Sequence, residues 1–224
     1  MKKTIVTLVV MFFIIVLVSG ILTGSFRKRK PLSDEDLAQL ERIKSNYPPL
    51  SLPSEERAKE VFGTLWHEHV DFTRQFVIAS LGSQADVQEK ETQLLENQEY
   101  MGRAVGAYYP GSEGIIMRLL KEHIVIAKDI VEDLKSWKLT RVPSDISRWY
   151  DNADKFSETM EIINPNWKLK HRMREHLLIL EYAVISQWVG LRKLSLGIYN
   201  DRIVPQAQEM ADIMVEGVKN KNGI

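Results

Sequence analysis

The stretch Leu65-Trp66-His67-Glu68-His69-Val70 sets two histidines either side of a glutamate, the residue types from which zinc sites and general acid–base pairs are built. On a helix each residue turns by about 100°, so His67 and His69 project about 200° apart and cannot hold one ion. The useful set is wider. His69, His123 and His176 each fall on the apolar stripe of a different helical segment, Gln98 does so on a fourth, and Asn97 and Asn152 flank them. Buried polar groups need partners. These side chains are expected to converge in the interior as a hydrogen-bonded layer, a small-ligand pocket, or a metal site in which three imidazoles leave one position open. His67, with Asp71 one turn on, and His171, with Glu175, are expected at the surface.

Spacing excludes the commoner chemistries. No histidine has a glutamate three residues before it and no His-x-x-x-His pair exists, so neither a di-iron carboxylate site nor the H-E-x-x-H zinc protease is available. There is no glycine-rich phosphate loop and no G-x-S-x-G elbow. Gly102, Gly106, Gly111 and Gly114 read as packing and chain reversal; Tyr108, Tyr109 and the five tryptophans read as core and helix-end packing. Asp34-Glu35-Asp36 matches the D-x-D pattern of some sugar transferases but reads as a solvated acidic linker. Thirty Lys and Arg balance thirty Asp and Glu, so nothing pulls the chain onto nucleic acid, and the absence of cysteine removes thiolate sites and disulfides. No cofactor is required by these residues, a metal ion at the histidines being the one they suggest, and no reaction is named.

The elements that position the set are helical. After Ser54 apolar residues recur at three and four, and no long stretch alternates as a strand would. One helix is expected from a Ser54 cap to about Leu81, a second from Asp86 to Tyr108, a third capped by Ser112 to about Trp137. A fourth begins near Pro143 and ends at Asn164-Pro165, a fifth follows Asn166-Trp167 to about Gly190, and a last, bent near Gly197 and Pro205, reaches Val218. Short connections make neighbours antiparallel, which predicts an all-α, up-and-down bundle of four long helices with one or two extra over 54–218, and a tail at 219–224.

Ahead of the bundle, Thr4 to Gly24 carries no charge and matches the length of about 20 residues needed to cross a bilayer. A cleaved signal peptide is the rival reading. The cluster Arg27-Lys28-Arg29-Lys30 resists translocation and favours an uncleaved single-pass anchor over 1–30, with the main domain on the cytoplasmic or, in a virion, interior side. Residues 31–53, with Pro48, Pro49 and Pro53, read as a tether holding one short helix over SDEDLAQLERIK.

From about Phe62 to Val218 the chain resembles a family of small all-helical proteins, of unestablished function, familiar from Gram-positive bacteria. The blocks that carry the resemblance are LWHEHVDFTR from Leu65, LLENQEYMG from Leu94, YYPG from Tyr108, LLKEHIVIA from Leu119, RWYDNAD from Arg148, NPNW from Asn164, HLLI from His176 and MADIMVEGV from Met210. Labels such as glycosyltransferase or acetylglutamate kinase circulate in that family, and no residue here carries either chemistry. The resemblance implies a site drawn from His69, Arg74, Asn97, Gln98, His123, Asn152 and His176. Tyr100, Ala183 and Asn200 depart from the family pattern, two of them where an acid is usual. The expected function is a membrane-anchored interaction or structural module, with the membrane, other proteins or a second copy as partners. The alternative is a small-ligand or metal-binding bundle, enzymatic or not, built on His69, His123 and His176.

Overall fold

A computed structural model describes residues 31–45 and 54–222. Among them there is no strand; the chain forms eight α-helices and one π-helical turn. The helices are α1 (Asp34–Ser45), α2 (Glu55–Leu81), α3 (Val87–Tyr108), α4 (Glu113–Lys135), α5 (Val142–Ile163), α6 (Lys170–Trp188), α7 (Arg192–Ile198) and, after the π-turn Tyr199–Ile203, α8 (Val204–Asn222). The expected membrane segment lies outside the described residues, and within them no helix is long and apolar enough to cross a membrane.

Local chemistry accounts for most boundaries. Ser54 caps α2 by accepting from the Arg57 amide at 3.2 Å. Ser33 and Asp36 form a reciprocal capping box on α1. Pro143 sits in the first turn of α5, where its missing N–H costs nothing. Ser112, expected as a capping residue, occupies that position at α4 without a capping bond, its hydroxyl buried and unpartnered. The fifth long helix begins later than Trp167. That residue is a fully buried plug whose indole donates to the Met214 carbonyl at 2.8 Å, so tertiary packing holds it outside the helix. The bend expected near Gly197 and Pro205 is the π-turn: proline lacks an amide and its ring crowds the carbonyl four residues back, and a widened turn relieves both.

The bundle differs from four helices with additions. Of six long helices, α2–α3 and α4–α5 form packed antiparallel hairpins, and α8 follows α6 through α7 and the π-turn. Helices α2, α4 and α6 touch one another at the centre, while α3 packs between α2 and α4, α5 between α4 and α6, and α8 along α2. A central helix must be buried on more than one stripe, and α6 shows this: Ile179, Glu181 and Ser186 are buried as well as His176, Leu177, Leu180 and Val184. The interrupted last segment supplies the sixth position, and its helix runs to Asn222, into the expected tail, with Lys219 paired to Glu55 at 3.2 Å.

Residues 31–45 are also more than a tether. Leu32 and Leu40 are buried, Gln39 donates to the Gly111 carbonyl at 3.2 Å, and Asp36 of the D-x-D stretch pairs with Arg118. Helix α1 is thereby docked on the α3–α4 turn.

Candidate functional site

The three central helices bring their histidines to the middle of the bundle. His69, His123 and His176 are all buried, and the His69 and His176 rings lie 6.0 Å apart between centroids, inclined at 41°. His123 packs on Trp149 at 5.1 Å and shares a cavity with His69. His67 and His171 are exposed, as expected.

Each central imidazole is held at Nδ1 by an amide from an outer helix. Asn152 gives its Nδ2 to the Leu119 carbonyl and Glu122, so its Oδ1 accepts from His123 Nδ1–H at 2.9 Å. His176 Nδ1 stands 3.1 Å from Gln206 Oε1, again the donor, which leaves its buried Nε2 as an unpartnered acceptor. His69 is opposite in sense. Gln98 Nε2 is committed to donation by the Leu94 carbonyl at 2.9 Å, so at 3.1 Å from His69 Nδ1 it donates, and the ring proton resides on Nε2. Asn97 supports this corner through the Leu65 carbonyl and Glu68.

Two of these parallels were legible in the sequence and were not part of the periodicity argument. Glu-His dipeptides occur at 68–69, 122–123 and 175–176, with 54 residues from His69 to His123 and 53 from His123 to His176. The amide partner follows each histidine by 29, 29 and 30 residues. The central helices end alike: Ser83, Trp137 and Gly190, also 54 and 53 apart, take positive φ and close the same pair of hydrogen bonds back onto the last turn. Three histidine–amide pairs therefore recur at matched spacing, one on each central helix. Gln206, which follows Pro205 in an irregular segment and so escapes the helical periodicity, completes the third pair.

Burial makes the site uncharged. Desolvation first, then the neighbouring imidazoles, lowers the His69 pKa well below the usual value; burial lowers His123 to about 3 and His176 to about 4. Glu181, which the sequence reading did not select, lines the same cavity; burial raises its pKa to about 8, with Tyr150 beside it, so its carboxyl is protonated at neutral pH. The cavity measures about 40 Å³ and passes from His69, His123, Thr73 and Glu181 into an apolar channel walled by Ile130, Val131, Leu134 and Val184.

Arg74 does not join this set. It is half-buried on the far side of α2, its guanidinium 5.1 Å above the Tyr199 ring, because the stripe it shares turns toward α7. Nor do the described residues place three His, Asp or Glu side chains so as to hold a metal ion. Trp66, Trp149 and Trp167 are core residues and Trp137, 64% exposed, packs at the end of α4, as expected.

No family model, curated protein or solved structure matches the chain. The family resemblance rests on the sequence blocks alone.

Proposed function

We propose that this protein is a helical-bundle binding protein for a small uncharged molecule with a hydroxyl or carbonyl head and a short apolar tail. The observation that carries the reading is the polarity of the cavity. His69 retains an Nε2–H donor, His123 retains an Nε2 acceptor, the Glu181 carboxyl beside them is neutral, and the channel beyond is aliphatic. An ion would enter a site from which burial has removed every charge, at a desolvation cost that a neutral head group avoids. The volume suits a ligand of a few heavy atoms, given that one water occupies about 10–15 Å³ on this measure.

Native mass spectrometry and calorimetry of the full chain with straight-chain alcohols, against alkanes of equal length, test it. Short alcohols should bind, long ones should be excluded, and His123→Leu should erase the preference for alcohol over alkane. Equal binding of alcohol and alkane would overturn the reading. A visible Co²⁺ spectrum lost in His176→Gln would replace it with the metal alternative.

The second reading, a membrane-anchored interaction module, draws support from the apolar sequence at 4–24 and from a basic, aromatic end face of the bundle. Crosslinking and recovery from native membranes test it; a protein recovered without partner or self-association counts against it.

A further inference from the structure

A groove of about 580 Å³ opens at the end of the bundle where α2, α4 and α6 terminate, remote from the α3–α4 turn on which α1 docks. Arg74, Lys135, Arg192 and Lys193 line it, and no carboxylate does. Among the described residues none of these four forms an ion pair, although the chain as a whole is neutral. Three helix C-termini supply one reason for cations here, but each is equivalent to roughly half a negative charge, so the four side chains exceed what the dipoles neutralise.

The same end carries apolar surface. Of the eight large hydrophobic residues exposed in the described chain, Trp137, Leu191, Leu194 and Leu196 all lie on it, and α7 has no buried residue. Trp137 is the telling one. It stands at the left-handed position that closes α4, with φ of 58°, where its counterpart at the end of α6 is Gly190. Glycine suits that backbone and a bulky side chain is strained in it. Its indole is 64% exposed and packs 4.8 Å from the Trp188 ring.

We infer that this end face docks onto an anionic phospholipid bilayer. The cations meet headgroup phosphates in the groove, and Trp137 with the α7 leucines enters the interfacial layer, the position that amphipathic rings and basic side chains favour. This surface is independent of the central cavity, so either reading can fail alone.

The test uses the full chain held in phosphatidylcholine nanodiscs, which occupy the N-terminal apolar segment, and measures its capture by vesicles of phosphatidylcholine with or without phosphatidylserine. Acidic vesicles should bind at least about tenfold more tightly, since each basic residue near such a surface contributes about fivefold, and salt should weaken the binding. The double variant Arg192→Glu, Lys193→Glu should lose about thirtyfold or more. Trp137→Gly, which relaxes the backbone and so preserves the fold, should reduce binding on both vesicle types. Equal capture by the two vesicles overturns the proposal, as does acidic-vesicle binding that survives the double variant and disappears when Arg27 to Lys30 are neutralised.

Discussion

His69 and His176 face each other across the α2–α6 contact with ring centroids 6.0 Å apart, each tied by Nδ1 to a glutamine of a different outer helix, Gln98 and Gln206. Two imidazoles at this separation tolerate one another because burial keeps both neutral, and that condition makes the centre of the bundle sensitive to pH and to its amide supports.

Asn152 serves His123, the Leu119 carbonyl and Glu122 at once. Asn152→Ala leaves a buried imidazole N–H and a helix-side carbonyl bond unmade, and should destabilise the fold by about 2–4 kcal/mol. Urea denaturation of the two proteins checks this, and a loss below about 1 kcal/mol would show that the amide is dispensable.

Acid should unfold the protein through the three histidines. Unfolded histidine titrates near 6.5, whereas His123 and His176 do so at about 3 and about 4 in the fold and His69 is lowered in the same direction. Between those values only the unfolded chain takes up protons. The stability carried by the neutral rings is therefore complete above pH 6.5 and declines as pH falls, by about 1.4 kcal/mol per unit per ring. From pH 7.5 to 5 His123 and His176 together remove about 4 kcal/mol, and His69 adds to the loss in the same direction. Calorimetry across that range should show the decline, and a flat profile would mean that water reaches the rings.

Glu181 runs the other way. Its folded pKa of about 8 lies above the ordinary 4.5, so its contribution is complete below pH 4.5 and is lost as pH rises toward 8. Over pH 7.5 to 5 it returns about 3 kcal/mol, which offsets much of the decline expected from the histidines alone. Glu181→Gln keeps the shape and removes the titration. The variant should be more stable than the parent at pH 8, similar at pH 5, and steeper in its response to acid. Equal curves for the two proteins would place the carboxyl in contact with solvent.

Gly217 of α8 allows the closest approach to Trp167, an added Cβ meeting the indole at 2.3 Å. The indole is pinned by its bond to the Met214 carbonyl and cannot retreat. Gly217→Ala should cost about 1–3 kcal/mol and disturb the Trp167 near-ultraviolet dichroism. An unchanged spectrum with unchanged stability would refute the packing.

Much of the architecture could be read along the chain because helix formation is local. The 3.6-residue recurrence, Ser54 as a cap and Pro143 in a first turn located α2 through α5 closely, and the stripe positions of His69, His123 and His176 identified the buried set. Arg74 enters the expected site only through the family resemblance, and sequence blocks do not say which neighbour a side chain meets: its guanidinium lies over the Tyr199 ring. Trp137 packs at a helix end, as its place in the chain suggests, and its 64% exposure is set by the tertiary structure around that terminus. The matched spacing was present in the Glu-His dipeptides, yet its meaning depended on Asn152 and Gln206 arriving beside His123 and His176.

The sequence by itself determined that this domain is helical, where its turns fall, and that three histidines must be satisfied away from water. Only tertiary structure decided that six helices share the core, that Gln206 serves His176, that Glu181 is neutral in the histidine cavity, and that four cations gather at one end face. The reason is one of range. Caps and periodicity act over a few residues, whereas the protonation of a buried group and the company of a surface charge depend on side chains brought together from far along the chain.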